Sequence, residues 1–242
     1  MGNKLVRNLG QELGLPRQFG FFDDFEWMIT AHRWTSVLTD SGTATIGDAA
    51  GGILALVASD GTVADNDEAY IRSASEIFLF AAAKPMFCEA RLQYTEANTD
   101  DANVIFGFAS AVAANHLQDN GAGPLASYSG AVFFKVDGGT NWNVEKSIAG
   151  TQTTAELTAA NSLTKSAQTA GGASYQTLRI EAEPHGGGTM DVSFFIDGVL
   201  VYKMKDTTYA SATEMHVFAG VKNGDTNLET LNVDYIEAWQ LR

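Results

Sequence analysis

The sequence predicts an all-β protein, built as a two-sheet antiparallel β-sandwich with an extended N-terminal arm. Three observations support this prediction. The last third of the chain alternates between apolar and polar residues, strand-like segments recur about every ten residues before it, and Asp197-Gly198 joins two alternating runs. Alternation of period two is typical of strands that bury one face. Asp-Gly favours a tight hairpin turn, because both central residues of that turn adopt positive φ.

The strand candidates are separated by polar or glycine-containing turns, a spacing typical of sandwiches and barrels. In chain order they are Trp34–Thr39, Thr43–Ile46, Ile53–Ala58, Ala69–Ser73, Ile77–Phe80, Pro85–Tyr94, Asn103–Ala109, Ala131–Val136, Asn143–Ile148, Tyr175–Glu183, Met190–Ile196, Val199–Met204, Met215–Val221 and Leu231–Trp239. Two longer stretches, 111–129 and 151–172, are rich in small and polar residues, so we expect loops there. Good helix formers between 155 and 160 indicate a short helix in the second loop.

Residues 1–19 form the predicted arm, and residues 20–242 form the predicted sandwich domain. The arm is slightly basic, whereas the whole chain has a net charge of −14. Leucines recur every fourth position in it, which would place them on one face of a short helix. We expect the arm to order against a partner surface. Its expected contact residues are Lys4, Leu5, Arg7, Leu9, Leu13 and Arg17.

The composition excludes several classes of function. A net charge of −14 argues against nucleic-acid binding, which needs a basic surface. No apolar run is long enough to span a membrane, and the first residues lack the apolar core of a signal peptide, so we expect synthesis in a cytoplasm and no membrane contact. Cys88 is the single cysteine, which excludes an intramolecular disulfide. Alternation puts Cys88 on the core side of its strand and Phe87, Glu89 and Arg91 on the opposite face.

Five segments along the chain carry strand motifs, and their order along the chain is informative. They are Phe21–Glu26, Phe87–Leu92, Asn103–Phe108, Phe195–Leu200 and Val233–Trp239. Together they resemble the concanavalin A-like lectin/glucanase sandwich, also called the laminin-G-like jelly roll, of the kind found in bacteriophage virion accessory proteins. The resemblance covers the chain from about residue 20 onward and is a pattern of strands, which predicts fold better than function. It implies that the opening and closing strands are neighbours in one sheet.

Catalysis and metal binding find no support in the sequence. Retaining glucanases of this fold carry Glu-x-Asp-x-x-Glu on one strand, where alternation directs the carboxylates into one cleft. That motif is absent, so we expect no catalytic residues and a non-enzymatic protein. Acidic loops at 65–68 and 100–101 match no metal-loop template, and the histidines lack metal-ligand spacing. We therefore expect no metal and no cofactor.

Carbohydrate binding is the alternative function that the sequence allows. Trp142 lies beside a glycine-containing turn, with Asn141 and Asn143 on either side of it. An exposed indole flanked by amides would stack on a sugar ring and bind its hydroxyls. We expect these three residues to form the site if the chain binds glycans.

The function that the sequence favours is structural. The arm, the missing catalytic carboxylates and the resemblance together predict a virion protein that decorates or cements a bacteriophage capsid. Such a protein would form a homo-oligomer, bind the major capsid protein or a neighbouring virion protein through its arm, and be located in the virion after synthesis in the host cytoplasm. The alternative is a lectin-like carbohydrate-binding module on a phage appendage or cell surface, and a glycan hydrolase is the function that the sequence favours least.

Overall fold

The computed structural model describes residues 18–28, 32–47, 50–59, 62–96, 101–209 and 213–242, which fold as a sandwich of two antiparallel sheets. The strands, in chain order, are β1 Gln18–Asp23, β2 Trp34–Leu38, β3 Thr43–Gly47, β4 Ile53–Val57, β5 Glu68–Ser73, β6 Phe78–Leu79, β7 Met86–Thr95, β8 Asn103–Ala109, β9 Gly130–Lys135, β10 Asn143–Ile148, β11 Thr151–Glu156, β12 Gln176–Pro184, β13 Thr189–Ile196, β14 Val199–Thr208, β15 Glu214–Lys222 and β16 Thr230–Leu241. No helix in these described ranges is long and apolar enough to cross a membrane.

Each sheet contains eight of the described strands. The first sheet has the order β14-β13-β12-β7-β16-β4-β3, and β1 also pairs with β16. The second sheet has the order β11-β10-β9-β8-β15-β5-β2, and β6 also pairs with β15. The opening and closing strands are neighbours, with Phe22 opposite Glu237, as the resemblance implies. The predicted jelly-roll sandwich is confirmed.

The predicted strands agree with the observed ones to within a few residues, and the hairpin turn is in its expected place. Asp197 and Gly198 have φ values of 50° and 78° and connect β13 to β14. Gln18 and Phe19, which the sequence assigns to the arm, belong to β1. The predicted helix near residues 155–160 is wrong. The threonine-rich segment 151–156 instead pairs with β10 as a strand, which suits β-branched side chains.

The main core lies between the two sheets and contains the inward-facing side chains of both. Along β7 the buried residues alternate with half-buried ones, and Cys88 is completely buried, as predicted. Burial of a large apolar side chain stabilises the folded state by about 1.5–3 kcal/mol, so this layer provides the main driving force for folding. Its largest fully buried side chains include Trp34, Trp142, Phe106, Phe133 and Phe194.

A second apolar cluster covers the outer face of the second sheet. The sheet contributes Tyr70, Ile105, Val132, Phe134 and Phe218. Residues 110–129, called the covering segment below, contribute further apolar side chains to the same cluster, namely Val112, Leu117 and Tyr128. The outer face of the first sheet has no comparable apolar cover in the described parts of the chain, and its outward side chains are mostly half-buried. We call this surface the open face.

Candidate functional site

The covering segment is attached to the second sheet by a buried polar network around Lys222. Lys222 is completely buried at the end of β15, and its Nζ lies 3.7 Å from Glu68 Oε2. The ammonium donates hydrogen bonds to Asn115 Oδ1 and the Leu117 carbonyl, both at 2.9 Å, and to Asp119 Oδ1 at 2.5 Å. One buried cation therefore holds three successive parts of the segment.

Glu68 and Tyr70 complete the attachment from β5. Glu68 accepts hydrogen bonds from the Tyr70 hydroxyl at 2.7 Å and from the Asn115 N–H at 2.6 Å. The Leu117 N–H donates to the Tyr70 hydroxyl at 3.1 Å. Burial raises the pKa of both Glu68 and Tyr70. The central strands of this face are thus covered by the protein's own chain, and a ligand could reach Tyr70 or Phe218 only by displacing the segment.

His116 lies in the covering segment among aromatic rings, and we expect it to make stability depend on pH. Its ring centroid is 4.7 Å from that of Phe218 and 5.4 Å from that of Tyr128. Burial lowers the pKa of His116 to about 4, whereas an unfolded chain has a value of about 6.5. The histidine contribution to stability is therefore complete above pH 6.5 and falls by about 3 kcal/mol as the pH drops to 4.

His116→Phe tests this prediction, because phenylalanine keeps an aromatic ring and cannot be protonated. Urea denaturation at pH 7 and at pH 4 should show that the variant loses less stability than the wild type on acidification. The exposed His32→Phe variant should retain the wild-type pH dependence. Equal losses in wild type and His116→Phe would show that His116 does not cause the acid sensitivity.

The open face carries aromatic and charged side chains in cross-strand rows. One row runs across five strands of the first sheet, from β1 through β16, β7 and β12 to β13. With about 4.8 Å between neighbouring strands, the row is about 19 Å long. Its members, in that order, are Phe22, Glu237, Glu89, Arg179 and Phe195. The neighbouring rows add Tyr235 beside Arg91, and Trp239 beside Phe87.

Contacts between these side chains fix their positions. The Arg179 guanidinium lies 4.4 Å from the centroid of the Phe87 ring and 3.5 Å from Glu89 Oε2, and it also pairs with Glu181. The Tyr235 hydroxyl donates to Glu89 Oε1 at 2.8 Å. Held on several sides, the charged groups of this surface are oriented before any ligand arrives.

Phe22 gives the open face an accessible apolar surface. Its ring stacks on Tyr235 with centroids 5.5 Å apart, and 50% of the residue remains exposed. Burial and the Glu89 carboxylate raise the pKa of Tyr235, so its hydroxyl keeps its proton at neutral pH. Aromatic rings beside oriented hydrogen-bonding groups suit a ligand with both apolar and hydroxyl-bearing faces, and a sugar ring has both.

Two glutamates lie side by side on this face, but their surroundings do not suit glycoside hydrolysis. Glu89 and Glu237 are direct cross-strand partners, with Cβ atoms expected about 5 Å apart. Hydrolysis needs one carboxyl group that gives a proton and another that attacks or activates water. Glu89 is already engaged by Arg179 and Tyr235, and Glu237 is only 7% exposed.

The structure contradicts the sugar-stacking role predicted for Trp142. Its side chain is completely buried between the sheets, and Nε1 donates to Gln176 Oε1 at 2.8 Å. Asn141 bonds Glu156 at 2.7 Å, and Asn143 reaches the Asn141 carbonyl at 3.5 Å. A position beside a turn predicts exposure, but Trp142 directly precedes β10 and alternates with the buried Val144, which places the indole on the inward side. The three residues therefore stabilise this corner of the sandwich and form no platform.

The remaining predicted sites have different outcomes. The arm residues Lys4, Leu5, Arg7, Leu9, Leu13 and Arg17 lie outside the described residues, so their partner-binding role stays a prediction. In the acidic loop at 65–68, Asp67 and Glu68 are buried and bonded within the protein. His216 is a buried strand residue whose Nδ1 lies 2.7 Å from the Ser73 carbonyl oxygen.

The residues of the open face were only partly visible in the sequence. Alternation along β7 already placed Phe87, Glu89 and Arg91 on one face. Nothing local connects them to Phe22 or Arg179, because those residues join them only through the order of the strands in the sheet. Sequence alternation thus predicted the site residues on β7. The site residues on the other strands could be identified only from the order of the strands in the sheet.

Comparison with solved structures identifies the fold of the chain. No protein-family model and no curated protein matches the chain. Among solved structures, the potassium-bound Emp46p carbohydrate recognition domain has a TM-score of 0.57 and 11% identity, covering 91% of this chain and 95% of its own. The chain has the concanavalin A-like lectin/glucanase fold.

Two further structures of this fold differ in what their names describe. Peanut lectin with a nonapeptide has a TM-score of 0.58 and 10% identity, covering 93% of this chain and 97% of its own. An endo-β-1,4-glucuronan lyase from Trichoderma reesei has a TM-score of 0.56 and 9% identity, covering 90% and 94%. Because both lectins and enzymes share this fold at such low identity, the likeness establishes architecture alone.

Proposed function

We propose that the chain is a lectin-like, non-enzymatic carbohydrate-binding domain whose open face contacts the glycan. The observation that carries this proposal is the exposed Phe22–Tyr235 stack beside the fixed Glu89–Arg179 pair. Structural similarity to a carbohydrate recognition domain and to a lectin supports it. The proposal places the alternative function predicted from the sequence ahead of capsid decoration, which no observation on the described residues supports.

Binding would combine stacking with hydrogen bonds. The Phe22 and Tyr235 rings offer apolar surface to the C–H face of a sugar. The Glu89 carboxylate can accept further hydrogen bonds beside those from Arg179 and Tyr235, and the Arg179 guanidinium offers donors, so both would bind sugar hydroxyls. Since internal contacts already orient these groups, little conformational entropy is lost on binding. A row about 19 Å long could contact several linked sugars, which favours a polysaccharide chain over a single monosaccharide.

The non-enzymatic part of the proposal has its own support. The covering segment packs over the central strands of the second sheet's outer face, so a substrate could not reach those strands while the segment is in place. On the open face, the two adjacent glutamates are engaged or buried, as described above. We therefore expect no cleavage of any glycan that the domain binds.

Phe22→Ala tests the proposed site. Wild-type protein would be tested against immobilised laminarin, a β-1,4-glucan and glucuronan, and each incubation would be analysed for released reducing ends and for unsaturated products. We expect binding without cleavage, and binding weaker by about twofold to tenfold in Phe22→Ala, because loss of the contact between the Phe22 ring and a sugar costs about 0.5–1.5 kcal/mol. Leu163→Ala is the matched control, since Leu163 is 52% exposed outside the open face.

Three results would contradict the proposal. They are the absence of binding to every polysaccharide tested, equal weakening by Phe22→Ala and Leu163→Ala, or product release by the wild-type protein. The first two would exclude the open face as a site for these glycans. The third would retain binding and exclude the non-enzymatic assignment.

A further inference from the structure

Three side chains with metal-binding chemistry converge at one end of the first sheet, away from the Phe22–Tyr235 stack. They are His185 in the turn after β12, Asp191 in β13 and Asp206 in β14. One ligand atom from each lies within 4.8 Å of those from the other two. The three residues form no contiguous motif in the sequence. The two hairpins β12–β13 and β13–β14 bring them together.

The backbone holds this group of residues in place. The His185 N–H donates to the Thr189 carbonyl at 2.7 Å and closes the turn between β12 and β13. A register shift between Met190 and Val192 gives β14 an irregular pairing with β13, and a bulge of this kind redirects side chains. The Asp206 N–H then donates to Asp191 Oδ1 at 3.1 Å.

The distance between the first two ligand atoms fits a shared metal ion. His185 Nε2 lies 3.0 Å from Asp191 Oδ1. Two ligand atoms of a tetrahedral zinc site with bonds of about 2.0–2.1 Å are about 3.3 Å apart, so only a small shift would be needed. The exposed fractions of the two side chains, 39% for His185 and 13% for Asp191, leave room for ion entry and for water as a further ligand.

The surrounding charges limit the affinity without blocking the site. Lys203 Nζ lies 2.6 Å from Asp191 Oδ2, so it offsets part of the negative charge but occupies the other carboxylate oxygen. Glu183 is the cross-strand partner of Asp191 and adds a nearby negative charge. With Asp206, the site keeps a net negative charge that would attract a cation.

We propose that His185, Asp191 and Asp206 bind a divalent transition-metal ion of the zinc class. One imidazole nitrogen and two carboxylate oxygens suit Zn²⁺ or Co²⁺, whereas Ca²⁺ and Mg²⁺ prefer oxygen ligands alone. The ion would lie between His185 Nε2 and Asp191 Oδ1, and the proton carried by Nε2 would be released to solvent. Bound there, it would cross-link the β12–β13 turn to β14.

Titration calorimetry of the full chain with zinc chloride tests the site. We expect one Zn²⁺ per chain, and more than about tenfold weaker binding by His185→Ala and by Asp206→Asn. His32→Ala is the control, because it removes an exposed histidine elsewhere. Co²⁺ should give a visible d–d absorption in the wild type that is lost in His185→Ala.

The outcomes separate a built site from adventitious binding. Zinc binding that is unchanged in His185→Ala would overturn the proposal, as would the absence of binding by the wild type. Circular dichroism would check that each variant is folded, so that loss of the site is not confused with loss of structure. In the absence of metal, the His185→Ala and Asp206→Asn substitutions should not change glycan binding, because the open-face stack does not involve these residues.

Discussion

Replacing Lys222 by methionine is expected to lower the free energy of unfolding by about 3–5 kcal/mol, as measured by urea denaturation at pH 7. Methionine retains most of the apolar stem but removes the ammonium. Glu68 then remains buried without its cation, and Asn115 Oδ1 and the Leu117 carbonyl lose their donor. An uncompensated buried charge together with unsatisfied acceptors makes this one of the largest single-residue effects we expect in this protein.

A double-mutant cycle isolates the ion pair. Glu68→Gln in the Lys222→Met background should cost much less than Glu68→Gln alone, because the stranded charge is already absent. Lys203→Met is the matched control, since the Lys203 side chain is 26% exposed in its pair with Asp191 and should change stability by less than about 1 kcal/mol. Additive effects of the Lys222 and Glu68 substitutions would exclude the proposed coupling.

The network around Lys222 also shows where prediction from this sequence ends. Period-two alternation predicted the strands, because a half-buried strand imposes that pattern locally. The Asp197-Gly198 turn was equally local, since it depends on two adjacent positive φ values. Glu68, Asn115 and Lys222 are far apart in sequence and meet only after the covering segment folds onto the second sheet. A polar residue within a long loop carries no local sign that it will be buried.

The exposure of two tryptophans also depends on features that are not local in the sequence. Trp142 was expected at the surface because it lies near a turn, yet it is fully buried. Trp27, which lies in the bend after β1, is 66% exposed. Both side chains are large and amphipathic, so composition does not decide their environment. Trp27 follows β1 and Trp142 precedes β10, so the environment of each depends on how the neighbouring strand is placed in the sandwich, which the local sequence does not specify.

Trp142→Ala is expected to lower the free energy of unfolding by about 3–5 kcal/mol, with little effect on glycan affinity of the folded protein. The substitution leaves a cavity beside Phe133 and Tyr94, whose ring centroids lie 6.2 Å and 6.4 Å from that of Trp142. It also removes the donor to Gln176 Oε1. Urea denaturation would measure the loss, and polysaccharide binding would be measured at a temperature where the variant remains folded.

Trp27→Ala is the control for tryptophan removal, because its exposed side chain leaves no comparable cavity and the stability change should be within about 0.5 kcal/mol. Stability and binding together distinguish a core role of Trp142 from a contact role. A residue that only packs changes stability but not the affinity of molecules that remain folded. A stable Trp142→Ala variant with no glycan binding would instead place the indole in the binding site and exclude the open face as its main contact surface.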